Sequence, residues 1–267
     1  MTGIDLSGVT ALVTGSSRGI GWEIARQMGL AGASVTLCAR DGKNLDLAVE
    51  RLRALDIRCH PIGADLRAAD APRRVVEAAA AHWGALDVLV NNVGGLPSTG
   101  RLEDLDDDQW LACFEINAMS TVRFCRAALP YLKKSRQPRI INITSAVAEQ
   151  PGLFNPHYSA AKAFVWNLSR HLANALACDG ILVNCIAPGI VDTDSWNTYI
   201  VEKAAAESIP IEVCRATESG RAAASVPLAR LGQAQEVAFL ATVLASAQSS
   251  FVTGSNLRVD GGKVRGI

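Results

Sequence analysis

A tyrosine and a lysine stand four residues apart in HYSAAKAF (157–164), in otherwise alanine-rich surroundings. A free phenol has a pKa of about 10 and is a poor proton partner at neutral pH. A lysine ammonium on the same helical face favours the phenolate and lowers that value. Asn155 and Pro156 have the residue types that open a helix, and the positive end of the helix dipole pushes the same way. Tyr158, tuned by Lys162, could then give a proton to a developing alkoxide or take one in the reverse direction. The plainer reading of the same residues is a satisfied tyrosine at a helix start beside a solvated lysine. Neither reading gives the neighbouring His157 a role.

A second cluster suits phosphate. The stretch TGSSRGIG (14–21) follows the first apolar β-branched run and opens an amphipathic one. Glycines there allow a tight turn, a close backbone approach to pyrophosphate and close helix packing, and the helix aims its free N–H groups at the phosphates. Gly15, Ser17, Arg18, Gly19, Ile20 and Gly21 are the candidate cofactor contacts of this loop, spaced GxxxGxG rather than GxGxxG. After the second run, LCARDGKN places Arg40 where an NAD-binding chain usually has an acidic residue for the ribose hydroxyl. Two guanidinium groups, Arg18 and Arg40, suit a 2′-phosphate, so NADP(H) is favoured over NAD(H). Asp41, one residue on, complicates that choice.

These groups need a scaffold. Apolar runs at 9–14, 33–39, 57–63, 86–92, 138–145, 181–188 and 256–261 read as strands. Amphipathic segments near 20–31, 43–55, 68–83, 108–134, 157–179 and 234–247 alternate with them. Such alternation predicts an α/β fold: a doubly wound, parallel, seven-stranded sheet covered on both faces, in one domain over 1–267. Residues 190–226 break the rhythm and read as a substrate-facing flap carrying short helices, for instance around 196–207. Trp196, Tyr199, Ile200 and Ile209 mix there with Glu202, Lys203, Glu207 and Arg215, suggesting neither a purely apolar nor a strongly anionic ligand. Arg215 and Arg221 could meet a carboxylate or a phosphopantetheine, although solvated loop charges are the simpler reading.

Composition bounds the partners. The 267 residues are 49% hydrophobic with a formal net charge of zero, which argues against nucleic acid or an anionic membrane. No apolar run approaches the about twenty residues of a membrane span, and the start lacks a secretory pattern. Seven cysteines without a CxxC read as reduced, buried side chains in a cytoplasmic protein, and four scattered histidines predict no metal.

Taken in order, TGSSRGIG (14–21), AD (64–65), NNVG (91–94), Asn117, Ser145, YSAAK (158–162), PGIVDT (188–193) and VDGG (259–262) resemble the short-chain dehydrogenase/reductase family along essentially the whole chain. The nearest general likeness is to 3-oxoacyl-acyl-carrier-protein reductases, most visibly in VPLARLGQAQEVAFLATVLAS. NNVG departs from the usual NNAG, and the extra methyl groups of Val93 fall near the cofactor. The resemblance implies a catalytic tetrad of Asn117, Ser145, Tyr158 and Lys162. Ser145 would polarise the carbonyl, Lys162 would also hold the nicotinamide ribose, and Asn117 would anchor a water relay. It further implies that Asp65 meets the adenine amino group beside the Leu66 backbone, and that Asn91 orders the strand-four loop with Gly94. Pro188, Gly189, the Ile190–Val191 backbone and the Thr193 hydroxyl would contact the nicotinamide.

The expected activity is NADPH-dependent carbonyl reduction, or secondary alcohol oxidation in reverse, on a small carbonyl or alcohol substrate that includes 3-oxoacyl thioesters as one class. The alternative is a catalytically silent NADP-binding regulatory protein, against which the intact Ser145, Tyr158 and Lys162 argue. An epimerase of the extended branch would need a larger C-terminal domain. A homotetramer is implied, and the apolar content of the 108–134 and 157–179 segments fits a shared helix bundle.

Overall fold

In the computed structural model, which describes residues 3–40 and 42–266, the apolar runs form one seven-stranded sheet. Its strands are β1 (Thr10–Thr14), β2 (Ser34–Ala39), β3 (Cys59–Gly63), β4 (Val88–Asn91), β5 (Arg139–Ile143), β6 (Leu182–Pro188) and, later in the chain, β9 (Asn256–Val259). The order is β3-β2-β1-β4-β5-β6-β9 and every pairing is parallel. β1, β2, β4 and β5 are buried at every position, which is why their sequences show no polar alternation. Asp41, which bears on the choice of cofactor, lies outside the described residues.

Helices cover both faces. On one side α1 (Gly19–Leu30), α2 (Gly42–Arg53) and α9 (Ala234–Ala245) bury Ile24, Met28, Leu52 and Leu244 against the sheet. On the other, α3 (Ala71–Trp83), α5 (Ser120–Leu132) and α6 (Pro156–Leu176) bury Val75, Phe124, Leu132 and Leu176. The chain winds outward from β1 to β3, then returns to β4, so strand order reverses between β1 and β4. In such sheets ligands bind beyond the carboxyl ends of the strands at this switch point.

Two local departures from the expected elements bear on the site. The single helix expected over 108–134 is α4 (Asp107–Phe114) and α5 joined by a π-helical segment, Glu115–Met119, with Asn117 at its centre. The extra residue of a π turn rotates a side chain off the regular helical face and recurs at functional sites. The flap carries the expected helices, but they are longer than expected, 14 residues each. It is a hairpin of α7 (Asp194–Glu207) and α8 (Ile211–Ala224), preceded by a two-residue strand β7 (Val191–Asp192) paired with β8 (Gly232–Gln233). Ile200, Ala204 and Cys214 are buried between its helices, with Trp196 and Ile209 packed against them. Ile200 therefore faces the hairpin, not a ligand. Glu218 is 7% exposed and accepts from Tyr199 Oη at 2.9 Å, beside Lys203 at 3.3 Å and Arg221 at 3.1 Å. Much of the flap's charge is consumed inside it.

Candidate active site

The first strand delivers the glycine loop. Gly15 and Gly19 have φ of +64° and +58°, in the left-handed region where a side chain is strained. At Gly21 a Cβ would lie 2.4 Å from both Asn92 Nδ2 and the Gly15 carbonyl, so helix and loop meet this closely only with glycine. Ser16 roots the loop: its hydroxyl donates to the Val13 carbonyl at 2.7 Å and accepts from Cys38 N at 3.0 Å. Ser17 is then half-buried and Arg18 exposed at the head of α1, Ile20 packs on the core, and no side chain caps the helix. Uncapped helix N–H groups with exposed cations are the donor set a pyrophosphate requires.

Asn92, which the motif reading passed over, ties this loop to β4. Its Nδ2 donates to the Thr14 and Gly15 carbonyls at 2.9 and 3.0 Å, and Thr14 Oγ1 accepts from the backbone of Asn92 and Val93 at 3.0 Å each. The Asn91 side chain points the other way and does not order the loop directly. It is buried, donating to Asn142 Oδ1 at 2.8 Å, and Asn142 in turn donates to Ser169 Oγ at 2.7 Å. Alternation along a strand puts neighbouring side chains on opposite faces, so only one of the two asparagines can reach the loop.

At the adenosine end Arg40 is exposed past β2, while Leu66 is buried. Asp65 is held by Arg67, whose Nη2 sits 2.7 Å from Oδ2 and whose Nε sits 3.0 Å from Oδ1. Hydrogen bonds from Arg67, with a smaller contribution from the Arg40 charge, pull the Asp65 carboxyl down to about 2. At the nicotinamide end, the turn after β6 comes back over the loop. A Cβ on Gly19 would lie 3.7 Å from Thr193 Cβ. Gly189 packs against Asp260, where a Cβ would fall 2.8 Å from Asp260 Cα. Val191 is buried in β7, and the Ile190 carbonyl accepts from Gly232 N at 2.9 Å. Arg18 shares a recess of about 420 Å³ with Asp194, Asn197, Thr198, Val201 and Glu202 of α7, so the flap begins over the phosphate loop.

The four residues of the expected tetrad lie beyond β4 and β5. Ser145 follows β5 by two residues, half-buried, its hydroxyl accepting from Val147 N at 3.4 Å. Tyr158 is in the first turn of α6, and Lys162 lies one turn on with its Nζ 5.7 Å from the phenol ring centre. Lys162 is 4% exposed and donates to the Ile143 carbonyl at 3.0 Å. Asn117 donates to the carbonyls of Gly95 and Cys113 at 2.7 and 2.9 Å, and its Oδ1 accepts from Gly95 N at 3.1 Å. A Cβ on Gly94 would meet Asn117 Oδ1 at 2.7 Å and Lys162 Nζ at 3.0 Å. Gly94, Asn117 and Lys162 therefore form one packed group. Asn155 precedes the helix as expected, but its side chain does not cap it. In a left-handed conformation (φ +62°), it accepts from Gly100 N instead, at 3.1 Å.

Electrostatics depart from the simple tyrosine–lysine picture. Burial pushes the Tyr158 phenol up to about 12, against a smaller opposing pull from its hydrogen bond with Ser145. Burial also brings the Lys162 ammonium down to about 8, with the nearby Cys113 and Cys185 acting weakly the other way. Desolvation of both groups outweighs the lowering expected from their spacing. The protein alone thus holds a neutral phenol, the form that can donate a proton.

Residues 9–204 match the short chain dehydrogenase family, and the chain belongs to it. It is 33% identical to the 3-oxoacyl-acyl-carrier-protein reductase of Pseudomonas aeruginosa, over 97% of this chain and 98% of that one. Among solved structures it resembles a single-site variant of actinorhodin polyketide ketoreductase with NADPH, at 32% identity and a TM-score of 0.89, covering 97% and 98% of the two chains. It also resembles L-sorbose reductase from Gluconobacter frateurii complexed with NADPH and L-sorbose, at 29% identity and a TM-score of 0.92, covering 99% of each chain. The protein is an oxidoreductase with a Rossmann-type sheet. Among the described residues no helix is long and apolar enough to cross a membrane.

Proposed function

We propose that this chain is an NADP(H)-dependent carbonyl reductase, reversible as a secondary alcohol dehydrogenase. The observation that carries the reading is the convergence of Gly94, Asn117 and Lys162 beside Ser145 and Tyr158, at the sheet end where the glycine cradle opens. The cradle fits a dinucleotide: Gly15 and Gly19 turn at positive φ, Gly21 lets helix and loop meet where a Cβ would clash, and Arg18 and Arg40 supply exposed cations for a 2′-phosphate. The relatives solved with NADPH support the same choice.

A bound nicotinamide supplies the hydride. The chain's own residues do the rest. Ser145 donates to the substrate oxygen and polarises the carbonyl. The neutral Tyr158 phenol gives its proton to that oxygen as negative charge develops. The Lys162 ammonium, fixed by Ile143 O, favours the phenolate left behind. Asn117, braced on Gly95, holds the lysine's end of the site. Asp65–Leu66, Asn91–Gly94 and Pro188–Thr193 would complete the cofactor contour, with Asn92 bracing the glycine loop. The hairpin of α7 and α8 closes over the substrate, for which 3-oxoacyl thioesters are the first class to test.

Leu111 and Phe164, on α4 and α6, are 67% and 40% exposed, which supports a shared helix interface in a homotetramer. The decisive experiment is NADPH oxidation across acyl thioesters, steroids, cyclic ketones and sugars. Turnover of no carbonyl alongside tight NADPH binding would overturn the enzyme reading in favour of a regulatory one.

A further inference from the structure

The loop after β4, residues 93–100, is pinned at three points. Near its start, Gly95 exchanges two hydrogen bonds with the Asn117 side chain. At its end, Gly100 exchanges two with Asn155: its N–H donates to Asn155 Oδ1 at 3.1 Å, and its carbonyl accepts from Asn155 N at 2.8 Å. Between these, Ser98 Oγ lies 3.2 Å from His157 Nε2. The loop carries Gly94, the residue packed against both Asn117 and Lys162. Its far end is held by the two residues immediately preceding and following Pro156, next to Tyr158.

His157 is fully buried. Its Nδ1 has no hydrogen-bond partner, and the Trp110 ring of α4 lies 5.9 Å away. A neutral imidazole carries one N–H and one bare nitrogen. A buried N–H without an acceptor costs the full desolvation of a donor, so the proton belongs on Nε2, where Ser98 receives it. Burial, the larger effect, lowers the pKa of the ring from its ordinary value, against a smaller opposing hydrogen bond to the Ser98 backbone. The ring is thus a fixed, neutral donor aimed at the loop.

We infer that His157 is a positioning residue: through Ser98 it seats the 93–100 loop so that Gly94 and Gly95 keep Asn117 and Lys162 in register with Tyr158. The inference rests on the reading of this site as a carbonyl reductase. It assigns His157 no contact with substrate or cofactor. Its effect belongs to the chemical step, where small misplacements of catalytic groups cost most.

The test compares His157→Phe, which keeps a ring and loses the donor, His157→Gln, which keeps a donor, and Ser98→Ala, which removes the hydroxyl partner of Nε2. His157→Phe and Ser98→Ala should each lower kcat about tenfold, with the KM for NADPH changed less than about threefold. The double variant should be no slower than either single one, because both remove the same link. His157→Gln should recover most of the loss. Hydrogen exchange of residues 93–100 without ligand should rise in His157→Phe and Ser98→Ala alike. Retained kcat in both, additive losses, or unchanged exchange overturns the inference, and Ser98→Ala keeps it testable if His157→Phe does not fold. Wild-type protein that binds NADPH and reduces no carbonyl removes the underlying reading instead. Exchange then decides whether the loop is pinned at all.

Discussion

Lys162 Nζ donates to the main-chain carbonyl of Ile143 at 3.0 Å, fastening helix α6 to the strand that ends two residues before Ser145. The bond joins segments 19 residues apart in sequence and sets the distance between serine, tyrosine and lysine. It also fixes which protonation events matter. With both Tyr158 and Lys162 desolvated, the phenol stays neutral and the ammonium is the more easily lost charge.

The pH dependence follows from the sign of that shift. Lys162 is lowered to about 8, so its cation is present below that pH and is lost as pH rises through it. Tyr158, raised to about 12, remains protonated over the same range. Reductive kcat, measured between about pH 6 and 10, is therefore expected to fall on an alkaline limb near 8. Lys162→Arg keeps a cation throughout, and its residual activity should lack that limb. A flat wild-type profile would show that Lys162 does not lose its proton across this range.

Removing the proton donor is the most direct test of Tyr158. Tyr158→Phe should lower kcat by about 10³-fold or more, in line with the loss of a general acid. NADPH affinity, followed by fluorescence titration, should change less than about threefold, since the phenol's hydroxyl is a small part of a large dinucleotide contact. Retention of most turnover would sink the assignment.

Gly94→Ala tests the packing of the site. The new Cβ would meet Asn117 Oδ1 at 2.7 Å and Lys162 Nζ at 3.0 Å, closer than such atoms approach without one of them shifting. Gly94 is exposed and its φ is not positive, so the fold itself tolerates alanine. The expected result is a kcat reduced by about tenfold or more, with a melting temperature within a few degrees of wild type. A normal kcat would mean that Asn117 and Lys162 have room the geometry does not give them.

The proposed preference for NADP(H) is tested at its exposed cations. Arg40→Ser should raise the KM for NADPH by about 10- to 100-fold, through loss of a charge-assisted bond to the 2′-phosphate. NADH should be little affected. Arg67→Ala is the useful companion, because it frees the Asp65 carboxylate that Arg67 now holds in a bidentate pair. Equal effects of Arg40→Ser on both cofactors would refute a specific phosphate contact.

Much of this was legible in the chain. The apolar β-branched runs announced the parallel sheet because strands buried on both faces need no polar alternation. The order of the glycine loop, Ser145, Tyr158 and Lys162 announced the site. What sequence could not supply was direction and solvation. Asn91 and Asn92 are adjacent and chemically identical, and only the pleat decides which reaches Thr14 and Gly15. The tyrosine–lysine spacing is visible as i and i+4, whereas the depth of burial that reverses the expected shift depends on groups from distant parts of the chain. Asn117 was named by the motif order, but its π-helical setting was not, because a π turn carries no simple local pattern. Nothing in the sequence pattern singles out Arg67, whose pairing with Asp65 depends on the fold of the turn.

The flap offers the last prediction, because its stability is separable from the sheet. Ile200 is fully buried within the α7–α8 hairpin, packed with Ala204 and Cys214. Ile200→Ala leaves a cavity there and should cost about 2–4 kcal/mol within that unit. The hairpin's own core is small, so the cost falls on local opening of residues 194–224 rather than on global unfolding. Limited proteolysis should cut this segment sooner in the variant, while the melting temperature of the sheet moves little. A mobile lid binds substrate less well and should raise the substrate KM more than it changes NADPH affinity. If proteolysis is unchanged and both constants hold, the hairpin is an adornment of the fold and the substrate is closed in by other segments.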